Sequence, residues 1–382
     1  MSKFKISSSE FKEMLQEVGT SISKKSTIPI LYSIKMTCIN KVLIITGTDL
    51  EITKIVRQEL SEGDDFKTLV QYHDLFDTIK VIPDQELIIE VSEKDIKIIA
   101  FNGEYNLPVT STFEDFPELP EITNKKSCTL RHDQLNKIFN NVFTFAGTDD
   151  LRPVMKGVYL NIGDKIIACA TDAHTLKESI VSHDKSNIES TCVIPNANKV
   201  FNKGFAEDIY NIDIGEKHIL ISSSDDTKEV YIRLDDGVFP NYKPIIPNIE
   251  NYSLKVNVYR SELLNSLSRL FKIVKQSFVK ITFDLDEDNI ILTSTNIDFG
   301  TKATESMEGS NFDLRNEKCD TLKDNNNKFV IGFDIQYLEK CLKSFKEDTI
   351  EIYLYEDNKA VLIKGLDNTD DTTLIMPQMI TE

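Results

Sequence analysis

The sequence predicts an α+β protein made of three tandem copies of one unit. Three observations predict it: a helical pattern that recurs three times without gaps, a second helical pattern that recurs after each, and short β-type runs bounded by turn residues in between. At 382 residues the chain exceeds the usual domain size of roughly 100 to 200, so two or three domains are expected. Hydrophobic residues at 40% and charged residues at 28%, with 14 Gly and 11 Pro, describe a globular chain and exclude disordered or fibrous classes.

The first helix reads "SEFKEMLQEV", "DQLNKIFNNV" and "SELLNSLSRL" in the three copies. Phe11, Met14, Leu15 and Val18 align with Leu135, Ile138, Phe139 and Val142, and with Leu263, Ser266, Leu267 and Leu270. Each set follows i, i+3, i+4, i+7, which puts it on one buried stripe of an amphipathic helix. The second helix reads "YHDLFDTIK", "ANKVFNKG" and "IQYLEKCLKSF", with Leu75, Val200 and Leu338 in register. First and second helices are separated by 64, 65 and 75 residues, so the third copy carries about ten more. Composition places these in a surface loop within "ESMEGSNFDLRNEKCDTLKDNNNK".

The remaining runs, among them "KVLIITGTD", "ELIIEVSEKDIKIIAFNG", "DKIIACATD" and "TIEIYLYEDNKAVLIKG", read as strands, several in hairpins, giving mostly antiparallel sheet. The Pro-rich stretches "FPELP" and "FPNYKPIIP" close the first two copies. Domains are therefore expected at 1–126, 127–251 and 252–382.

A net charge of −18 argues on its face against nucleic acid, because a binder needs Lys and Arg to displace counterions from phosphates. Its distribution answers the objection. The six helical segments 8–25, 72–80, 132–145, 196–204, 261–275 and 334–346 are together slightly basic, so the acidic excess lies outside them. The six cysteines are scattered without a C-x-x-C or a His at ligand spacing, which points to reduced structural thiols, with no metal and no cofactor. No apolar run approaches 18 residues and the start "MSKFKISSSEFKEM" has no apolar h-region, so a cytoplasmic protein without membrane contact is expected.

Residues 169–176 read "CATDAHTL", and their counterparts are "GTDLE" and "STNID", 123 residues before and 124 after. Only Thr-Asp/Asn recurs. A feature built three times fits turn chemistry, an Asp or Asn capping its own backbone at a strand end. His174 belongs to the second copy alone. Its readings are a buried His bonded at a strand end, a wall of a binding groove, or the partner of Asp172 in a hydrolase. No nucleophile, metal ligand or phosphate loop accompanies that last pair.

The stretches "IPIL", "GTDLEI", "RPVMKGV", "ATDAHTL", "DGVFPNYKPIIP", "VIGFDIQYLEKCL" and "LIMPQM", in this order over essentially the whole chain, resemble the bacterial DNA polymerase III β subunit, the sliding clamp. The resemblance implies a non-enzymatic processivity factor. It would be a head-to-tail homodimer whose six domains ring duplex DNA, helices inside and sheets outside. It also implies partners: the polymerase III α subunit, the clamp loader complex, and other polymerases and repair proteins that dock through short peptides. A repeat-built dimeric scaffold that does not encircle DNA stands as the alternative.

By the same resemblance the peptide groove comprises Met155, Thr171, His174, Thr175, Leu176, Pro240, Lys243, Pro244, Ile245, Phe278, Tyr337, Leu374, Ile375, Met376, Pro377 and Gln378. The family usually has Gly and Arg where this chain has Ala173 and Thr175, and the tail "MPQMITE" runs past the usual ending. The DNA-facing candidates are Lys24, Lys25, Lys199, Lys203, Arg269, Lys272, Lys340 and Lys343. Tyr105 and Leu107 on an edge strand would meet Phe271 and Ile273 at a helix end of the partner chain, core packing being the other role open to those four.

Overall fold

The computed structural model describes residues 1–23, 25–109, 113–184, 188–197, 209–315, 327–366, 368 and 370–380. Lys24, Lys199, Val200 and Lys203 lie outside the described residues, as do most of the ten-residue excess and the last two residues of the tail. Two compact units emerge: Met1–Asn140 with Asn161–Lys165 and Ser182–Asp236, and Asn141–Leu160 with Ile166–Val181 and Gly237–Glu382.

The first unit holds two antiparallel sheets. One runs in the order Ser2–Ser7, Glu86–Val91, Asp95–Ala100, Gly103–Pro108. The other has eight strands: Phe66–Gln71, Ser33–Ile39, Val42–Thr48, Ile52–Glu59, Lys228–Arg233, His218–Ser223, Ile209–Ile214, Lys126–Arg131. The helix Ser8–Gly19 starts where the Ser7 hydroxyl accepts the Ser9 N–H, and it buries Phe11, Met14, Leu15 and Val18 as the periodicity predicts. Burial of such side chains contributes up to about 1.5–3 kcal/mol each. Strand and helix approach so closely at Gly47 that a Cβ there would lie 2.4 Å from the Val18 side chain. Helix Tyr72–Ile79 adds Tyr72, Leu75 and Ile79 to the same core.

The second unit contains the four-stranded sheet Thr301–Glu308, Asn289–Asn296, Phe278–Asp284, Lys328–Asp334. Its larger sheet follows the order Gly157–Ile162, Lys165–Thr171, Thr175–Ser182, Asp371–Ile375, Val361–Gly365, Thr349–Leu354, Leu254–Tyr259, Ser310–Leu314. Helix Arg260–Val274 buries Leu263, Ser266, Leu267 and Leu270 and stops at Lys275, which takes the left-handed conformation at φ 55°. Helix Ile335–Lys343 is capped by Asp334, whose carboxylate accepts the N–H groups of Gln336 and Tyr337.

Two expectations are corrected here. Residues 305–314 are not surface loop: they complete strand Thr301–Glu308 and form strand Ser310–Leu314, which pairs with Leu254–Tyr259. Their polar composition suits a sheet edge, where one face stays wet. The helix expected over 132–145 is α-helical only at His132–Asn136, then widens into a π-turn at Lys137–Asn141 and tightens into a 3-10 turn at Val142–Phe145. Asn side chains compete with the helix backbone. Asn140 bonds the Asn136 side chain and Asn141 donates to the Ser344 carbonyl at 2.8 Å. The apolar stripe Leu135, Ile138, Phe139 and Val142 is buried all the same.

Candidate functional site

The site grows from the turn at 171–175 in the second unit. Asp172 Oδ1 accepts the main-chain N–H of His174 at 2.9 Å and of Thr175 at 2.6 Å, and Thr171 Oγ1 accepts the Ala173 N–H at 3.1 Å. Ala173 sits at φ +74°. The first unit repeats the turn. Asp49 Oδ1 accepts from Glu51 and Ile52, Thr48 Oγ1 from Leu50, and Leu50 has φ +73°. In the third copy Asn296 still accepts from Phe299 through its side-chain oxygen, while its amide donates to the Val274 carbonyl at a helix end. The recurring Thr-Asp/Asn is therefore turn chemistry.

Asp172 does more than cap. Its second oxygen, Oδ2, receives Lys340 Nζ at 2.5 Å in a pair only 14% and 22% exposed. This corrects the DNA-facing assignment of Lys340. The ammonium is drawn inward by the carboxylate and lies 5.1 Å from the Phe145 ring centroid and 5.5 Å from that of Tyr337. His174 is exposed, and its ring stacks on Tyr337 with centroids 4.9 Å apart and planes 16° apart. That overturns the buried-His reading. The acid–base reading falls too, because Asp172 bonds the backbone of residue 174 and the imidazole faces a phenol ring. Burial, with the charges of Asp172 and Asp334, raises the Tyr337 pKa above the ordinary tyrosine value.

These groups open on a cavity of about 490 Å³ lined by Met155, Asp172, Ala173, His174, Tyr337 and Lys340, with the segment from Thr144 to Arg152 as its other wall. Of the expected groove residues, Met155, His174 and Tyr337 line it. Thr171, Thr175, Leu176, Leu374 and Ile375 are buried in the sheet beneath, where Thr175 opposes Ile375. The tail is laced across two sheets. Met376 donates to the His174 carbonyl at 2.8 Å, and Gln378 to that of Gly332, also at 2.8 Å. Gly332 is required there: a Cβ would meet the Phe278 ring at 2.6 Å and the Gln378 carbonyl at 2.7 Å. Pro240, Pro244 and Ile245 are exposed and do not line the cavity. Their segment is pinned by Tyr242 and Lys243, both 2.5 Å from the buried Glu178 carboxylate on the strand that follows His174. Burial and that carboxylate push the Tyr242 hydroxyl far up.

Among the other cations, Lys25 and Lys272 are exposed. Arg269 is held by both Glu305 oxygens at 2.9 and 2.6 Å, and Lys343 by Glu339 at 2.5 Å. Tyr105 and Ile273 are 41% and 59% exposed, Phe271 is half-buried, and Leu107, also half-buried, packs against the core of the first unit. Among the described residues no group of three or more His, Cys, Asp or Glu could hold a metal ion, and no helix is long and apolar enough to cross a membrane. Cys38, Cys169 and Cys341 are buried free thiols, Cys128 is buried as well, and burial pushes the Cys341 thiol up to about 12.

Sequence reading missed the Asp172–Lys340 pair, the Glu178 anchor and two buried lysines. Lys54 lies 2.7 Å from Glu17, and Lys177 contacts Thr373 at 3.0 Å and the Phe345 ring at 4.3 Å. The lysines stand 123 residues apart, the spacing of the repeat, and that signal could have found them.

Repeated α+β units whose sheets run on from one copy to the next, with a cavity beside the joint of the second and third copies, define a processivity-clamp architecture. Profiles of the N-terminal, central and C-terminal domains of the DNA polymerase III beta subunit match residues 2–120, 129–241 and 243–379. The chain belongs to the DNA polymerase III beta subunit family, and its function is that of a sliding clamp, a processivity factor and not an enzyme. The beta sliding clamp of Rickettsia felis is 27% identical over 96% of this chain and 98% of its own length. That of Staphylococcus aureus is 24% identical over 99% of each. Among solved structures, the Pseudomonas aeruginosa sliding clamp bound to griselimycin superposes with a TM-score of 0.88 at 20% identity, covering 99% of this chain and all of that one. The Thermotoga maritima beta subunit gives 0.87 at 20% identity over the whole of both chains.

Proposed function

We propose that two copies of this chain close head to tail into a six-domain ring round duplex DNA, with domains 1–126, 127–251 and 252–382, and tether the polymerase III α subunit through the groove. One observation carries the ring. Each unit contains a strand joint between consecutive copies of the repeat, and each also has a four-stranded sheet whose outer edge has no partner strand among the described residues, Gly103–Pro108 in one and Thr301–Glu308 in the other. Unpaired edges are templates for another strand. Tyr105, Leu107, Phe271 and Ile273 remain the apolar contacts of that interface.

Lys25, Lys272 and Lys343, with Lys24, Lys199 and Lys203, would face DNA through phosphate contacts that do not read sequence, which suits sliding. Arg269 would contribute less, its charge being held by Glu305. The cavity beside His174, with Met155, Tyr337 and the Met376–Pro377–Gln378 tail, would take the apolar anchor of a partner peptide. Pro240, Lys243, Pro244, Ile245 and Phe278 would extend the groove. Met and Pro walls suit several sequences, and the clamp loader and repair proteins would share the site in the cytoplasm.

The test is topological. Loaded protein should stay on closed circular DNA and run off linear DNA, and should outlast salt that strips ordinary phosphate binders. Equal retention on both would favour the scaffold that does not encircle DNA.

A further inference from the structure

The charge pair at the edge of the cavity joins two residues that each govern one of the rings beside it. His174 and Tyr337 come from different copies of the repeat, and a stack of two rings, one exposed and one half-buried, is a weak bond by itself. The backbone beneath each ring sets their spacing, and one carboxylate ties the two backbones. Asp172 Oδ1 holds the His174 N–H at 2.9 Å, while Oδ2 holds Lys340 Nζ at 2.5 Å. Lys340 stands three residues after Tyr337 on the helix Ile335–Lys343, so the two share a helix face. The pair is mostly shielded from water, where salt screens it little.

The tie is not part of the repeat. With Leu75, Val200 and Leu338 in register, the position of Lys340 is occupied by Asp77 in the first copy and Asn202 in the second. The cation is thus supplied in the one copy whose second helix stands beside a turn bearing a histidine. What departs from a repeated scaffold is where function gathers.

We propose that Lys340 is a positioning residue of the peptide groove: its bond to Asp172 locks the helix Ile335–Lys343 to the turn at 171–175, so that His174 and Tyr337 meet a partner peptide as one preformed wall. This rests on the groove reading above and adds what holds its wall. Side chains ordered in advance need not be ordered by the ligand, and that saving appears as affinity. Lys340 reaches the opposite wall as well. Its ammonium lies 5.1 Å from the ring centroid of Phe145, a buried residue within the segment from Thr144 to Arg152. Turn, helix and segment are therefore gathered at one cation. Because Asp172 neutralises it, the pair brings no net charge to the cavity, which suits an apolar anchor.

Changing Lys340 by itself would strand the Asp172 carboxylate, so the informative variant neutralises both: Asp172→Asn, Lys340→Met. Asn keeps the cap, as Asn296 does in accepting the Phe299 N–H at 3.3 Å. The chain has five histidines, so isotope-labelled imidazoles resolve in the full-length protein, and His174→Ala assigns the signal. In the unchanged protein the ring current of Tyr337 should displace the His174 ring-proton resonances. The double variant, its folding checked by thermal midpoint, should lose that displacement and bind a polymerase-derived peptide about two- to tenfold more weakly. Should it not fold, Lys340→Met carries the same two readouts. A retained displacement in the folded variant, or a lost one with unchanged affinity, overturns the role of Lys340 and leaves the groove standing. No peptide binding by the unchanged protein overturns the groove reading, and the role of Lys340 falls with it.

Discussion

The turns at 48–52 and 171–175 have the same backbone, and almost nothing built on them is the same. Both use a Thr hydroxyl and an Asp carboxylate to hold three main-chain N–H groups, and both force a residue into positive φ. In the second unit the turn also carries His174 stacked on Tyr337, and Asp172 turns its other oxygen to Lys340 at the edge of a cavity. The strands leaving the turns bury a lysine at the same position, but Lys54 is paired with the Glu17 carboxylate at 2.7 Å, whereas Lys177 lies between hydroxyls and a ring, with Asp371 at 3.9 Å. A repeated scaffold keeps its backbone solution and lets each copy exchange the side chains around it. Function then sits in what is not repeated.

The largest effect expected of this comparison is at the lysines. Glu17→Ala leaves the Lys54 ammonium buried without its carboxylate and should cost about 3–5 kcal/mol in denaturant unfolding, while the joint change Glu17→Leu, Lys54→Met should recover most of it. Failure to recover would mean the pair holds the helix by more than charge. Next comes the capping Asp. Asp172→Ala removes two main-chain bonds and the Lys340 partner, so it should cost about 2–4 kcal/mol in denaturant unfolding, more than Lys340→Met, which removes the ion pair alone. No loss from Lys340→Met would show that the pair is idle.

His174→Ala should weaken binding of a polymerase-derived peptide by about 1–3 kcal/mol, a five- to hundred-fold change, and barely move the thermal midpoint because the ring is exposed. Leu50→Ala should leave peptide affinity unchanged. A fall in stability with normal affinity would remove His174 from the groove. The smallest effect is at the strained position of each turn: Ala173→Gly and Leu50→Gly should be neutral or stabilising by up to about 1 kcal/mol, since glycine takes positive φ without a clash. A clear loss at either would mean the side chain packs in a way that outweighs the backbone strain.

Local rules made much of this legible before any coordinates. The stripe Phe11, Met14, Leu15, Val18 and its third-copy counterpart fall where periodicity puts them, and Thr-Asp announces its turn, because these depend on residues within a few positions. The second-copy helix escaped because a stripe at helical spacing is compatible with a π-turn when Asn side chains compete for the backbone. Strand Ser310–Leu314 escaped because an edge strand needs only a partner, and its paired residues, from Asn257 with Ser310 to Leu254 with Leu314, lie 53 to 60 positions away.

What the sequence by itself determined is the repeat, the helices of its first and third copies, its turns and the membership that follows from them. Tertiary structure alone decided that Lys340 points inward, that Gly332 makes room for Phe278 and the tail, and that Glu178 gathers Tyr242 and Lys243. The reason is distance along the chain. A charge settles where its desolvation is repaid by a partner, and the partners of Lys340 and Tyr242 lie 168 and 64 residues away, beyond the reach of any local pattern.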